Sequence, residues 1–166
     1  MFHLVSTRFT NDTWLENRDY RNKSNHDGCI YGSSQELSNV HYDSLTFVIE
    51  MNNSKNEIEG IGLIINRPLF DKSYFIYSDR NYNRFIYKGN YRLNRDKLLQ
   101  YSKRLVLSLE YILFREKNHV KRSMGFTRLT QTYIKNKKND QVNNLKINII
   151  IKTIQLCFND YFKSKI

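Results

Sequence analysis

Glu50 is the acid whose position asks for an explanation, because it stands inside the apolar run Leu45-Thr46-Phe47-Val48-Ile49-Glu50-Met51. Strand alternation would turn it to solvent. The other reading buries it beside an arginine, which would make it a candidate for a functional site. The remaining groups able to do chemistry are dispersed. His3, His26, His41 and His119 fall in four separate segments, and His26 with Cys29 is one pair without the second pair that a tetrahedral zinc site needs. Phosphate-binding loop, nucleophile-elbow and metal-binding helix motifs do not occur. The pattern points away from catalysis, with a nuclease as the form any activity would take, and it implies no cofactor and no metal.

The charge is the stronger clue. Lys and Arg outnumber Asp and Glu by 27 to 16, a formal net charge of +11 on 166 residues. Asn, Lys, Ile and Tyr are abundant and Ala is absent, which fits an A/T-rich coding genome and accounts for part of the lysine. The remaining excess points to an anionic partner, nucleic acid in first place. Two groups of cations suit phosphate contacts: Lys88, Arg92 and Arg95 near the end of the last strands, and Lys121, Arg122 and Arg128 around Gly125, where a glycine lets the backbone come close. Tyr82, Phe85, Tyr87 and Tyr91 are interleaved with the first group and could offer faces to unpaired bases. The competing reading is that alternate tyrosines fill a core and the lysines form a solvated face.

Elements able to position these residues can be read from periodicity. Residues 2–9 alternate as a strand. Asp12 or Thr13 could cap a helix from Trp14 to about Tyr20. Residues 28–34 form a small-residue turn around Ile30 and Tyr31, and a further turn leads to Leu37 and Val40. Leu45–Met51 and Ile58–Ile65, joined by Asn52-Asn53-Ser54-Lys55-Asn56, read as a β-hairpin, and Gly60 and Gly62 inside its return strand suggest a bulge or a close approach. Pro68 ends that strand. Residues 73–78, 84–88 and 91–93 read as three more strands. The period then becomes helical from about Asp96 to Arg115. Residues 135–146 read as a basic, solvated linker. Ile147, Ile150, Ile151, Ile154, Phe158 and Tyr161 repeat at helical spacing, against a rival strand at 147–151. The longest apolar run, 147–151, is broken by Asn148 and falls far short of the about 20 residues that span a bilayer, so no membrane partner is expected. Cys29 and Cys157 form no CxxC pair, and no signal peptide is evident, so the expected compartment is reducing and cytoplasmic.

The expected fold is α+β: a small, strongly curved sheet or barrel of five or six strands, one long central helix and a C-terminal helix. Residues 1–134 would form the domain, 135–146 a linker, and 147–166 a helix docked on the domain or on a partner.

The hairpin, followed by Gly60-Ile61-Gly62-Leu63-Ile64, Arg67-Pro68 and Asp71, resembles the middle of the PUA-like superfamily, in its EVE and YTH branches. Tyr42-Asp43 stands where those branches place a Gly-Asp-like turn. Trp14 and the segment Cys29–Ser34 occupy the places of their pocket residues. The resemblance covers about residues 1–95. It departs from the YTH pattern in having one tryptophan, and the ASCH signature is absent. The chain also resembles proteins of large DNA viruses, which would place it in the host cytoplasm or the virion. The resemblance implies a barrel pocket for one unpaired or modified base. Trp14 and Tyr31 would be its stacking faces, and Ser33, Asn52 and Asn53 would read the base edge. Each has a plainer reading: Trp14 as the anchor of the first helix, Tyr31 as core, and Asn52 and Asn53 as turn residues. The function expected is non-catalytic binding of nucleic acid, RNA before DNA, by a planar guest seated at the glycine-notched strand. The rival is a viral structural or assembly subunit that docks on a protein partner through residues 147–162.

Overall fold

The structure is a computed structural model and describes residues 1–163. It is an α+β fold in which a mixed five-stranded sheet lies between a pair of long helices and a two-stranded ribbon. The sheet is formed by β1 (His3–Phe9), β3 (Leu45–Asn52), β4 (Glu57–Ile65), β6 (Tyr91–Asn94) and β7 (Phe126–Arg128), in the order β6-β4-β3-β1-β7. β1 and β3 run parallel and the other pairs antiparallel. The ribbon pairs β2 (Cys29–Ser33) with β5 (Phe85–Gly89). These described strands form two sheets and no single closed barrel.

Strand alternation splits the core in two. One face of the sheet presents Leu4, Phe47, Ile49, Met51, Ile61 and Leu93 to α2 (Arg95–Phe114) and α5 (Ile147–Lys163). The other presents Val5, Phe9, Val48 and Ile64 to the ribbon and to α1 (Asn11–Lys23). The expected C-terminal helix therefore belongs to the core: Ile150, Ile154, Cys157 and Phe158 are buried in it. Residues 164–166 of that expectation lie outside the described residues.

Several sequence expectations are corrected. α1 starts earlier than Trp14, because Thr10 and Thr13 close a reciprocal capping box. Residues 28–34 hold a strand, β2, and not only a turn. Residues 73–78 are not a strand. The side chain of Asn83 takes the place of a neighbouring strand, accepting from the N–H groups of Ile76 and Tyr77 and donating to the Tyr77 carbonyl. α2 is interrupted at Ser102, whose hydroxyl accepts from the Leu105 N–H and restarts the helix. Residues 135–146 are largely exposed, as expected, but they are more than a tether. They contain α4 (Asp140–Asn143), after the short α3 (Gln131–Ile134), and they bury Val142 and Lys137. The Lys137 ammonium donates to the carbonyls of Ile112 and Arg115 near the C-terminal end of α2, a placement that the helix dipole favours.

The glycine notch is the most consequential correction. β4 has a bulge opposite Glu50 and Met51. Gly60 pairs with Glu50, and Gly62 with Arg92 of β6, all on the ribbon-facing side. With no side chains on β4 at these two points, Arg92 reaches across the strand to Glu50, donating from Nε and Nη2 at 2.8 and 2.6 Å. Tyr31 completes the group, its hydroxyl donating to the same carboxylate at 2.8 Å. A Cβ on Gly62 would stand 2.2 Å from the Tyr31 oxygen and 2.6 Å from Cys29 Sγ. The notch is filled by the protein's own side chains, which leave no room for a guest.

Replacing Gly62 with Ala forces Tyr31 and Cys29 away from this packed position. We expect Gly62→Ala to destabilise the fold by about 1–3 kcal/mol, read as a lower urea midpoint at unchanged slope. An unchanged midpoint would contradict the filled notch.

Candidate nucleic-acid interface

The residues singled out for stacking are mostly committed to the core. Tyr31 is fully buried against Glu50. Burial, and then the charges of Cys29 and Glu50, push its phenol well above the ordinary value. Trp14 packs edge-on against Phe9, and the guanidiniums of Arg21 and Arg92 lie over its ring at 5.3 and 5.2 Å. It anchors α1, and these partners correct its assignment as a stacking face. Arg21 is held in turn by Asn17, whose amide donates to the Ile30 carbonyl and the Tyr77 hydroxyl. Asn52 is a turn residue, its Oδ1 accepting from the N–H groups of Ser54 and Lys55 and its Nδ2 donating to Asn11 and Glu59.

Ser33 and Asn53 have a different setting. They line a cavity of about 280 Å³ at the end of β1, with Thr7, Phe9 and Thr13 on one side and Gly32, Tyr77, Tyr82 and Gly125 on the other. Thr7, Phe9, Ser33 and Tyr77 are buried, while Thr10 and Tyr82 are exposed at its mouth. Sequence reasoning missed the β1 and α1 contributions. The Thr10-Asn11-Asp12-Thr13 spacing, a capping box, was the available signal. The 115–125 segment is tied to two residues of the lining by its Lys121 carbonyl, which accepts from Arg8 Nη1 and Asn53 Nδ2, both at 2.9 Å. Gly125 closes it with φ +61, and a Cβ there would stand 3.0 Å from Ser33 Oγ.

The polar groups of this cavity are unequally satisfied. Ser33 Oγ accepts from the Gln35 N–H, which leaves the hydroxyl proton available to donate. The bond from Asn53 Nδ2 to a carbonyl fixes the orientation of its amide, since the flipped form would set oxygen against oxygen. The other amide atom, Asn53 Oδ1, is buried and has no donor among the described residues. Leaving an acceptor in that condition costs about 1–3 kcal/mol.

No protein-family model, no curated protein and no solved structure matches the chain.

The six expected phosphate contacts do not converge. Arg92 is paired with Glu50, and Arg95 with Glu57 and Glu110, so neither suits a phosphate. Lys121 and Arg122 lie in the segment that leads to Gly125, and the Lys121 backbone bonds Arg8 and Asn53. Arg128, on β7, donates to the Asn39 carbonyl, and Lys88 is exposed on β5. Of the interleaved aromatics, Tyr87 is core and Tyr91 packs on Phe162, while Tyr82 borders the cavity. Cations rim several grooves: Arg104 and Arg115 beside α2, Lys135 and Lys146 beside α3, and Lys72, Arg80 and Arg84 beside the 69–84 segment. Among the described residues, no group of three or more His, Cys, Asp or Glu is placed to hold a metal, and no helix is long and apolar enough to cross a membrane.

Both cysteines are free and buried. Desolvation, followed by the Glu50 charge, pushes the Cys29 thiol up to about 12. At pH 8 the native protein should therefore leave Cys29 unmodified by a thiol-specific reagent over minutes, and unfolding should release it at once. Rapid modification of Cys29 in the native state would show that the Glu50 cluster is open to solvent.

Proposed function

We propose that this protein binds single-stranded nucleic acid, RNA before DNA, and that the cavity at the end of β1 takes one unpaired base. The observation that carries the reading is a cavity of about 280 Å³ that brings the aromatic residues Phe9, Tyr77 and Tyr82 together with the polar residues Ser33 and Asn53. An apolar and aromatic pocket with a few convergent polar groups suits a planar heterocycle. Every nucleobase carries acceptors on its edge, and the free hydroxyl proton of Ser33 offers them a donor. At about 280 Å³ the space fits a single ring system better than an extended ligand. The aromatic ring of Tyr82, at the mouth, supplies a stacking face.

The PUA-like reading is kept in a looser form. The ribbon closes on the sheet where Gly89 meets the Leu63 carbonyl, as in an incompletely bonded barrel, and the pocket is displaced from the glycine notch to the β1 end. The role assigned is binding without chemistry. The rival reading, assembly through residues 147–162, has less support. The inner side of α5 is core, and the exposed Ile149 and Leu156 are what it leaves for a partner.

Binding of a short labelled RNA tests the reading. Each phosphate contact adds about −0.7 to the log–log salt slope for a single strand, so the affinity should fall steadily as salt rises. Tyr82→Ala should weaken binding by about tenfold at unchanged slope. Absence of binding at low salt would overturn the proposal, and an unaffected Tyr82→Ala variant would remove the cavity from it.

A further inference from the structure

Phe70 and Phe75 are each 73 % exposed, both within the segment that joins β4 to β5. Exposed apolar residues are ordinary when single, but two rings bordering one groove call for a partner. The groove between them holds about 520 Å³, and its lining includes Lys72, Arg80 and Arg84 and no acid. The two acids of the segment are turned to local work. Asp71 accepts from the Tyr74 hydroxyl at 2.9 Å, and Asp79 caps the 3₁₀ turn Arg80–Asn83 through the Asn81 N–H.

The rings are presented from a fixed support. Asn83 ties down the backbone of Ile76 and Tyr77, the Ser78 N–H donates to Glu16, and the Leu69 N–H donates to the Ile86 carbonyl. Binding surfaces held in place in this way lose little freedom on association. The same short turn serves two sites: Tyr82 borders the β1-end cavity, while Arg80 and Asn83 border the groove.

We infer that this groove is the track for the nucleotides flanking the base in the cavity, with Phe70 and Phe75 stacking on successive bases and Lys72, Arg80 and Arg84 meeting their phosphates. The inference rests on the nucleic-acid reading of the cavity. Alternating aromatic faces and cations, with no acid in the lining, match the repeating base and phosphate of a single strand. A single strand is also the form whose bases are free to stack outward.

The test uses the full chain and fluorescence anisotropy with a labelled single-stranded RNA decamer and a labelled mononucleotide. The Phe70→Ala/Phe75→Ala double variant should bind the decamer about tenfold or more weakly, with mononucleotide binding unchanged. The Phe70→Tyr/Phe75→Tyr double variant should restore the decamer affinity. Because both rings are largely exposed, these changes leave the core intact, and an unchanged urea midpoint verifies this. Decamer binding equal to wild type in the double alanine variant would overturn the groove while leaving the cavity reading in place. A loss in that variant beside an unaffected Tyr82→Ala variant would keep strand binding at the groove but overturn its role as the flank of an occupied cavity. No decamer binding by the wild-type protein would overturn both.

Discussion

A carboxylate and a guanidinium buried two strands apart hold this fold together. Glu50 of β3 is 1 % exposed and the Arg92 side chain of β6 10 %, and between them lies β4, whose Gly60 and Gly62 contribute no side chain to the gap. Neighbouring strands are about 4.8 Å apart, so the pair must bridge roughly twice that distance over the intervening strand. Burial alone would lower the arginine's pKa, but the charge and hydrogen bonds of Glu50 outweigh it and hold Arg92 above the ordinary arginine value. Taking two charges out of water is costly unless their remaining hydrogen-bonding capacity is met. Tyr31 meets part of it from the ribbon, and Trp14 lies against Arg92 from α1. The sheet, the ribbon and the first helix thereby all meet at one ion pair.

That arrangement decides where a ligand can go. The position that glycines leave open on β4 is already taken, and the proposed cavity lies elsewhere, at the end of β1 beside Gly32 and Gly125. There the side chains are hydroxyls, an amide with one unsatisfied atom, and aromatic rings. The Asn53 amide is only half used: its Nδ2 donates to the Lys121 carbonyl, while its Oδ1 is buried without a donor among the described residues.

The sequence made the regular elements legible because their signals are local. Alternation placed β1, β3 and β4, and the helical repeat placed α2 and α5 within a residue or two at most bounds. Glu50 stood out correctly as an acid in an apolar strand, though its partner did not, because Arg92 is distant in the chain and its pairing depends on two glycines of a third strand. Residues 73–78 misled for the converse reason. They have strand composition, but their backbone groups are satisfied by the Asn83 side chain, and composition carries no trace of that. Of the five candidate base contacts, Ser33 and Asn53 reach the cavity, while Trp14, Tyr31 and Asn52 are spent on packing and turn bonds. A large aromatic residue is as useful to a core as to a base, and only the three-dimensional neighbours tell which use has been made of it.

The most direct measurement is a titration of the isotopically labelled protein with a short single-stranded RNA, followed by the NMR resonances of its backbone and side-chain amides. The account predicts that the Ser33, Asn53 and Gly125 amides shift together and saturate at one concentration, while the Arg92 side-chain signal stays unmoved. Shifts gathered at Arg92 and Gly62 instead, with the cavity residues silent, would contradict it.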